Sequence, residues 1–373
     1  MRILMLADLN SIHTQKWAEA LAKNDLKIAV FGLSPLADKE RLNSENIEIY
    51  SSKFKESFVS GKYEGSLVKL SFLLSIFRLR KVIEKFKPDV IHAHFASSYG
   101  LLASILNFKP FVLSVWGSDV FVFPQKSILH RAIIKFIFSR ATKILSTSHI
   151  MALECNKYTD KNIEVTPFGI DLSKFQPAKN KTGLFNEGDL VLGTVKTLED
   201  KYGISYLIDA FSILVKKNNH TNIKLLIVGS GSKELIYKDQ VNKIGVQELV
   251  TFIPKVSYKE VPDYLSILDI YVALSVQESF GVAIIEASAC EIPVIVSNVG
   301  GLPEVVDHGI TGIVVPMKDS KSAAVAIEEL ILNKEKRISM GKSGREKVRA
   351  QYDWNENVKL MMEIYKSLDS LNS

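Results

Sequence analysis

Glu278 and Glu286 are the two carboxylates whose spacing points most directly to chemistry. They close the run Glu278-Ser279-Phe280-Gly281-Val282-Ala283-Ile284-Ile285-Glu286, which follows an apolar strand pattern at 270–273 and leads into a helical one. If the helix starts near Gly281, Glu278 lies in the loop and Glu286 inside the helix. Both can then face one ligand at the helix's amino end, where unpaired amides suit a phosphate. A glycine at that place lets the backbone approach a ligand closely. An ordinary surface helix behind an exposed glutamate would give the same pair. The context weighs against it, because Asn298-Val299-Gly300-Gly301-Leu302-Pro303-Glu304 and Gly309-Ile310-Thr311-Gly312 follow as strand, glycine-rich turn and helix in quick succession.

Other reactive types are less concentrated. Val228-Gly229-Ser230-Gly231 looks like the start of a dinucleotide fingerprint, but Glu234 stands where the third glycine is needed. Cys155 and Cys290 are far apart and lack metal or redox spacing, so both are expected as buried, reduced thiols. His94 ends the strand pattern 90–94 with no third ligand at metal-binding distance in sequence. His13 is open to two readings, a substrate contact or a surface histidine, and Ser11 is placed to cap the helix that follows. Asp119, just after Gly117 and Ser118, is expected to contact a bound substrate.

The E-x7-E run, together with Pro167-Phe168-Gly169-Ile170-Asp171 ahead of Phe175, resembles the retaining glycosyltransferases of the family-four, or group 1, type, whose architecture is the two-domain GT-B fold. The resemblance spans nearly the whole chain. It implies that Glu278 contacts the donor sugar's hydroxyls, that Glu286 binds the ribose diol, and that backbone at Ser279, Phe280, Gly281 and Val282 holds phosphate; a carboxylate can accept both hydrogen bonds of a vicinal diol. It further implies that Lys196 and Lys201 neutralise the diphosphate, that Gly229 lines the donor site, and that Lys255 and Val256 border the nucleobase. Lys196 stands where an arginine is usual and so lacks bidentate geometry. Trp116 replaces a histidine, either to stack on a sugar or to pack in the core, and a Gly-Gly loop usual after the first strand is missing.

The implied reaction is sugar transfer from a nucleoside diphosphate sugar, UDP-sugar favoured, to a saccharide or lipid-linked saccharide in cell-surface polysaccharide or glycoconjugate synthesis. Configuration is retained, the leaving diphosphate helps deprotonate the acceptor, and two lysines make a metal unnecessary. No cofactor beyond the donor is expected. A nucleotide-sugar epimerase of the same fold and a non-catalytic nucleotide-sugar binder are the alternatives.

These residues must be held by two domains. A chain of 373 residues exceeds what one core usually serves. Strand patterns at 2–7, 27–31, 90–94, 111–116 and 143–147, and again at 190–194, 224–228, 250–253, 270–273 and 294–296, alternate with helical ones. That predicts two α/β, doubly wound, Rossmann-like domains facing across a cleft, with ligands at the carboxyl ends of the strands. We expect an acceptor domain over 1–175, a donor domain over 176–353 and a helix over 354–373 that crosses back to the first. The turn-rich stretch 167–188 is the linker.

Residues 62–143 hold 13 Lys/Arg against 4 Asp/Glu, although the whole chain carries only +6. Two basic, apolar helices near 67–86 and 126–143 therefore suit an anionic membrane surface. No nucleic-acid motif accompanies the charge. The short apolar start before Asp8 and the lack of a long uncharged run predict a cytoplasmic protein that docks peripherally on the inner membrane face.

Overall fold

The computed structural model describes all residues except 39–41, 43, 55–71, 179–182, 218–221 and 370–373. The chain divides into two compact units, one of residues 1–167 and 356–373, the other of residues 168–355.

In the first unit, β1 (Arg2–Leu6), β2 (Lys27–Gly32), β3 (Ile47–Ser51), β4 (Val90–His94), β5 (Phe111–Val115), β6 (Lys143–Ser146) and β7 (Ile163–Val165) form a parallel sheet in the order β3-β2-β1-β4-β5-β6-β7. β4 and β5 are buried along their whole length, as expected where helices cover both faces of a parallel sheet. Register is set by pairs such as Ile3 with Ile28 on one side and Ile3 with Val90 on the other. Strand order reverses between β1 and β4, so their carboxyl ends diverge there.

The second unit repeats the plan with β8 (Leu190–Val195), β9 (Ile223–Val228), β10 (Val250–Ile253), β11 (Ile270–Ala273), β12 (Val294–Ser297) and β13 (Gly312–Val315), ordered β10-β9-β8-β11-β12-β13. Its reversal lies between β8 and β11. Those two strands pair only at Ile270–Leu192 and Tyr271–Gly193, whereas β8 pairs β9 along six residues. The sheet thus opens early at the end of β8, where the Tyr271 hydroxyl donates to the Val195 carbonyl at 3.1 Å.

Every strand pattern read from the sequence is present within a residue or two. β3, β7 and β13 were not foreseen: β3 is an edge strand with exposed Glu48 and Ile49, β7 has three residues, and β13 begins on a glycine inside a turn-rich run.

The division falls between Pro167 and Phe168, ahead of the expected 175/176, because residues 168–175 pack with the second unit. Ile170 exchanges backbone hydrogen bonds with Tyr352 and Trp354 at 2.7 and 3.1 Å, and Phe168 packs on Phe280. The helix Trp354–Asp369 belongs to the first unit from Glu356 onward. It buries Val358, Met361, Ile364, Tyr365 and Leu368, one helical stripe by spacing.

Candidate functional site

At the reversal in the second unit, the first residue after β8 meets the loop after β11. Lys196 Nζ lies 2.6 Å from Glu278 Oε2, and the two side chains are 13% and 14% exposed. Burial alone would lower the lysine's pKa. The Glu278 carboxylate, with Tyr271 and Tyr202 close by, outweighs it and raises the value above that of a free lysine, so the ammonium stays charged. Removing one partner of so enclosed a pair leaves the other without compensation.

Two glycines let neighbouring loops press on this pair. A Cβ on Gly300, at φ 51°, would sit 1.7 Å from the Glu278 carbonyl oxygen; one on Gly229, at φ 144°, would sit 2.0 Å from the Lys196 carbonyl oxygen. Only a residue without a side chain fits either place. Lys201 ties the remaining loops together, since its carbonyl accepts from Val276 and Gln277 amides at 2.8 and 3.2 Å. Its side chain is exposed.

The helix Val282–Ala289 is capped by Gly281, as its sequence suggested, so its first-turn amides open toward the loop that carries Glu278 and Ser279. Glu286, on the next turn, is buried and hydrogen-bonded to Tyr258. Burial first, then that carboxylate, raises the Tyr258 pKa. Tyr258 also packs on Phe175 and feels the charge of Asp171. Sequence reasoning missed Tyr258, whose only signal is its place in the loop after β10, two residues past Val256.

Lys255 is exposed and Val256 half-buried in that loop, whose Lys255 amide donates to Ser230 Oγ beside Gly229 at 3.0 Å. The side chain of Phe280 is a core element, 3% exposed between Phe168 and Tyr352. Only its backbone is placed to serve a ligand.

The reversal in the first unit gathers rings. The His94 ring, buried at the end of β4, lies 4.7 Å from Trp116 and 4.5 Å from His92, and Trp116 lies 5.9 Å from His13. Burial, then the charge of a neighbour, holds His94 at about 3 and His13 at about 4. Both rings are neutral at pH 7. His94 Nδ1 is buried without a hydrogen-bond partner. His92 is bonded on both sides, to Tyr365 Oη at 2.6 Å and Ser114 Oγ at 2.8 Å.

Two expectations in this unit are corrected. Asp119 is fully buried, and its carboxylate accepts backbone amides of Ala96, Gly117 and Trp116 at 2.8, 2.8 and 3.2 Å. It braces the loops after β4 and β5 and cannot meet an acceptor from there. Ser11 occupies the N-cap position of the helix Ile12–Ala22, but its side chain makes no capping bond.

Among the described residues, no group of histidine, cysteine or carboxylate side chains is arranged to hold a metal. Among them, too, no helix is long and apolar enough to cross a membrane.

Residues 175–347 match the family described as Glycosyl transferases group 1, and residues 2–148 match Glycosyl transferase 4-like. An uncharacterised glycosyltransferase of Methanocaldococcus jannaschii is 28% identical over 306 residues, covering 80% of this chain and 81% of its own. Sucrose-phosphate synthase from Thermosynechococcus elongatus superposes with a TM-score of 0.85 at 20% identity over 100% of both chains. HepE of Anabaena, solved with UDP and glucose, superposes with a TM-score of 0.80 at 19% identity over 99% of this chain and 100% of its own. These structural likenesses establish the GT-B fold.

Proposed function

The chain belongs to the group 1 glycosyltransferases, with their GT-B fold, and from that premise we propose a retaining enzyme that transfers a sugar from a nucleoside diphosphate sugar, UDP-sugar first, to a saccharide or lipid-linked saccharide. One observation carries the reading: the Lys196–Glu278 pair stands at the strand reversal, beside the helix that bears Glu286. A crevice at such a reversal is where doubly wound sheets bind nucleotides. HepE, a protein of this fold, was solved with UDP and glucose.

In this reading Glu286 receives the ribose diol, the amides at Gly281 and Val282 receive phosphate, and Glu278 orients the sugar hydroxyls. Lys196 and Lys201 stabilise the charge that develops on the diphosphate as the bond from the anomeric carbon to phosphate oxygen breaks. The acceptor oxygen bonds the anomeric carbon on the same face, and its proton passes to the departing phosphate oxygen. No protein nucleophile and no metal is needed for that balance. The neutral rings of His94 and Trp116 supply a stacking and hydrogen-bonding surface suited to a sugar.

A lipid-linked acceptor is favoured by the surface of the first unit. The helices Ser75–Phe86 and Ile128–Arg140 share one apolar core beneath; residues 67–71 of the first basic segment lie outside the described residues. Phe77, Ile128 and Leu129 are 64%, 84% and 67% exposed, beside exposed Arg80, Lys126, Arg131 and Lys135. Right-handed crossovers start both helices at the carboxyl end of the sheet, the end that holds His94 and Trp116. Exposed large apolar side chains with exposed cations close to them in the chain suit an anionic bilayer.

The donor reading is tested by melting the protein with UDP, GDP, ADP and NAD, alongside Glu286→Ala and Lys201→Ala. Selective stabilisation by one nucleoside diphosphate, lost in the variants, supports it. Stabilisation by NAD alone, or by none, removes it.

A further inference from the structure

The Tyr202 ring lies within reach of both lysines assigned to the diphosphate. Lys196 Nζ stands 4.5 Å from the centre of its ring and Lys201 Nζ stands 4.9 Å from the same centre. The place of residue 202 is fixed by backbone. The Tyr202 amide closes the turn Asp200–Tyr202 on the Glu199 carbonyl at 3.0 Å. The next residue, Gly203 at φ 66°, packs so tightly that a Cβ there would sit 1.8 Å from the Leu274 carbonyl oxygen.

Lysine ammonium groups are point charges on flexible stems, and two of them aimed at one target repel each other and lose rotamer freedom when held. A ring face carries negative charge density that attracts a cation. One ring shared by two cations offsets part of their repulsion and limits where each stem can point. An arginine would achieve a fixed direction through its planar fork; here the chain has lysine at 196.

We propose that Tyr202 is a positioning residue that holds Lys196 and Lys201 as one preformed clamp for the two phosphates of the donor. This rests on the donor reading above. The clamp spans two adjacent phosphate groups, one for each lysine, so Tyr202 contributes little to a nucleoside monophosphate, which has only one, and sets the margin by which the diphosphate binds better.

Calorimetric titration of the whole protein with UDP, GDP and ADP, and with the monophosphate of whichever base binds, tests this against Tyr202→Phe and Tyr202→Leu. Tyr202→Phe keeps the ring face and should keep the wild-type ratio of monophosphate to diphosphate Kd. Tyr202→Leu keeps bulk without the face; its diphosphate Kd should rise about tenfold while the monophosphate Kd stays put. Equal weakening of both ligands in Tyr202→Leu, an unchanged ratio, or loss of the ratio in Tyr202→Phe would each overturn the clamp. A wild-type protein that binds no diphosphate, or binds monophosphate as tightly, overturns the donor reading itself and is thereby told apart.

Discussion

The Lys196 ammonium and the Glu278 carboxylate meet at 2.6 Å although 82 residues separate them in the chain. They meet because β8 and β11 are neighbours at the point where strand order reverses, which brings the first residue after one strand to the loop after the other.

Breaking this pair should cost both stability and activity. Lys196→Ala leaves Glu278 uncompensated in a mostly enclosed place and should lower unfolding free energy by about 3 kcal/mol in urea titration. Transfer should fall at least about 100-fold in kcat/KM. The double variant Lys196→Met with Glu278→Leu should recover stability but not transfer. If it recovers both, the pair is structural only.

Gly300→Ala is expected to disable the enzyme without touching a charged residue. A left-handed φ costs an alanine about 1–2 kcal/mol, and its Cβ would collide with the Glu278 carbonyl. The loop must shift, taking Glu278 with it. A lowered melting temperature with at least tenfold slower transfer is predicted; unchanged kinetics would show that Glu278 needs no such support.

Acid should weaken the fold through the histidines of the first unit. Burial holds His94 at about 3 in the folded chain against an ordinary 6.5, with His13 at about 4 and His92 also lowered. Between pH 6.5 and 4 the unfolded chain therefore binds protons that the folded chain refuses, so stability falls as pH falls. His94 alone contributes up to about 1.4 kcal/mol per pH unit. Urea titrations at pH 7 and 5 should show that loss, and His94→Gln should flatten it. An equal slope in the variant would assign the acid sensitivity elsewhere.

Exposed Ile128 and Leu129 should govern membrane recovery. Sedimentation with vesicles containing anionic phospholipid should capture the wild-type protein more than neutral vesicles do. Ile128→Ser with Leu129→Ser should release most of it, and raised salt should weaken what remains. Equal capture of wild type and variant would remove the bilayer from the account.

The framework was legible because buried parallel strands announce themselves as short apolar runs between helical ones. Edge strands do not: β3 exposes Glu48 and Ile49 and half-buries Tyr50, and its pattern is that of many loops. For the candidate site, the placing of Glu278 in the loop, Gly281 at the cap and Glu286 inside the helix was readable from one segment. Tyr258 was not, since its role arises from packing between loops far apart in sequence; Tyr202 was not, because the fold of one short turn, not a spacing, brings its ring to both lysines. Asp119 shows the opposite error. A carboxylate behind two small residues suggests exposure, but three backbone amides needed an acceptor, and burial followed from that need.

The central claim is transfer with retention from a nucleoside diphosphate sugar. It is tested most directly by proton NMR of the glycoside formed when the enzyme is given α-linked UDP-, GDP- and ADP-sugars with alkyl glycoside and lipid-linked saccharide acceptors. An α-configured product from one of these donors, absent with Glu286→Ala, is predicted. A β-configured product, or donors left intact while the protein is folded and stable, would contradict it.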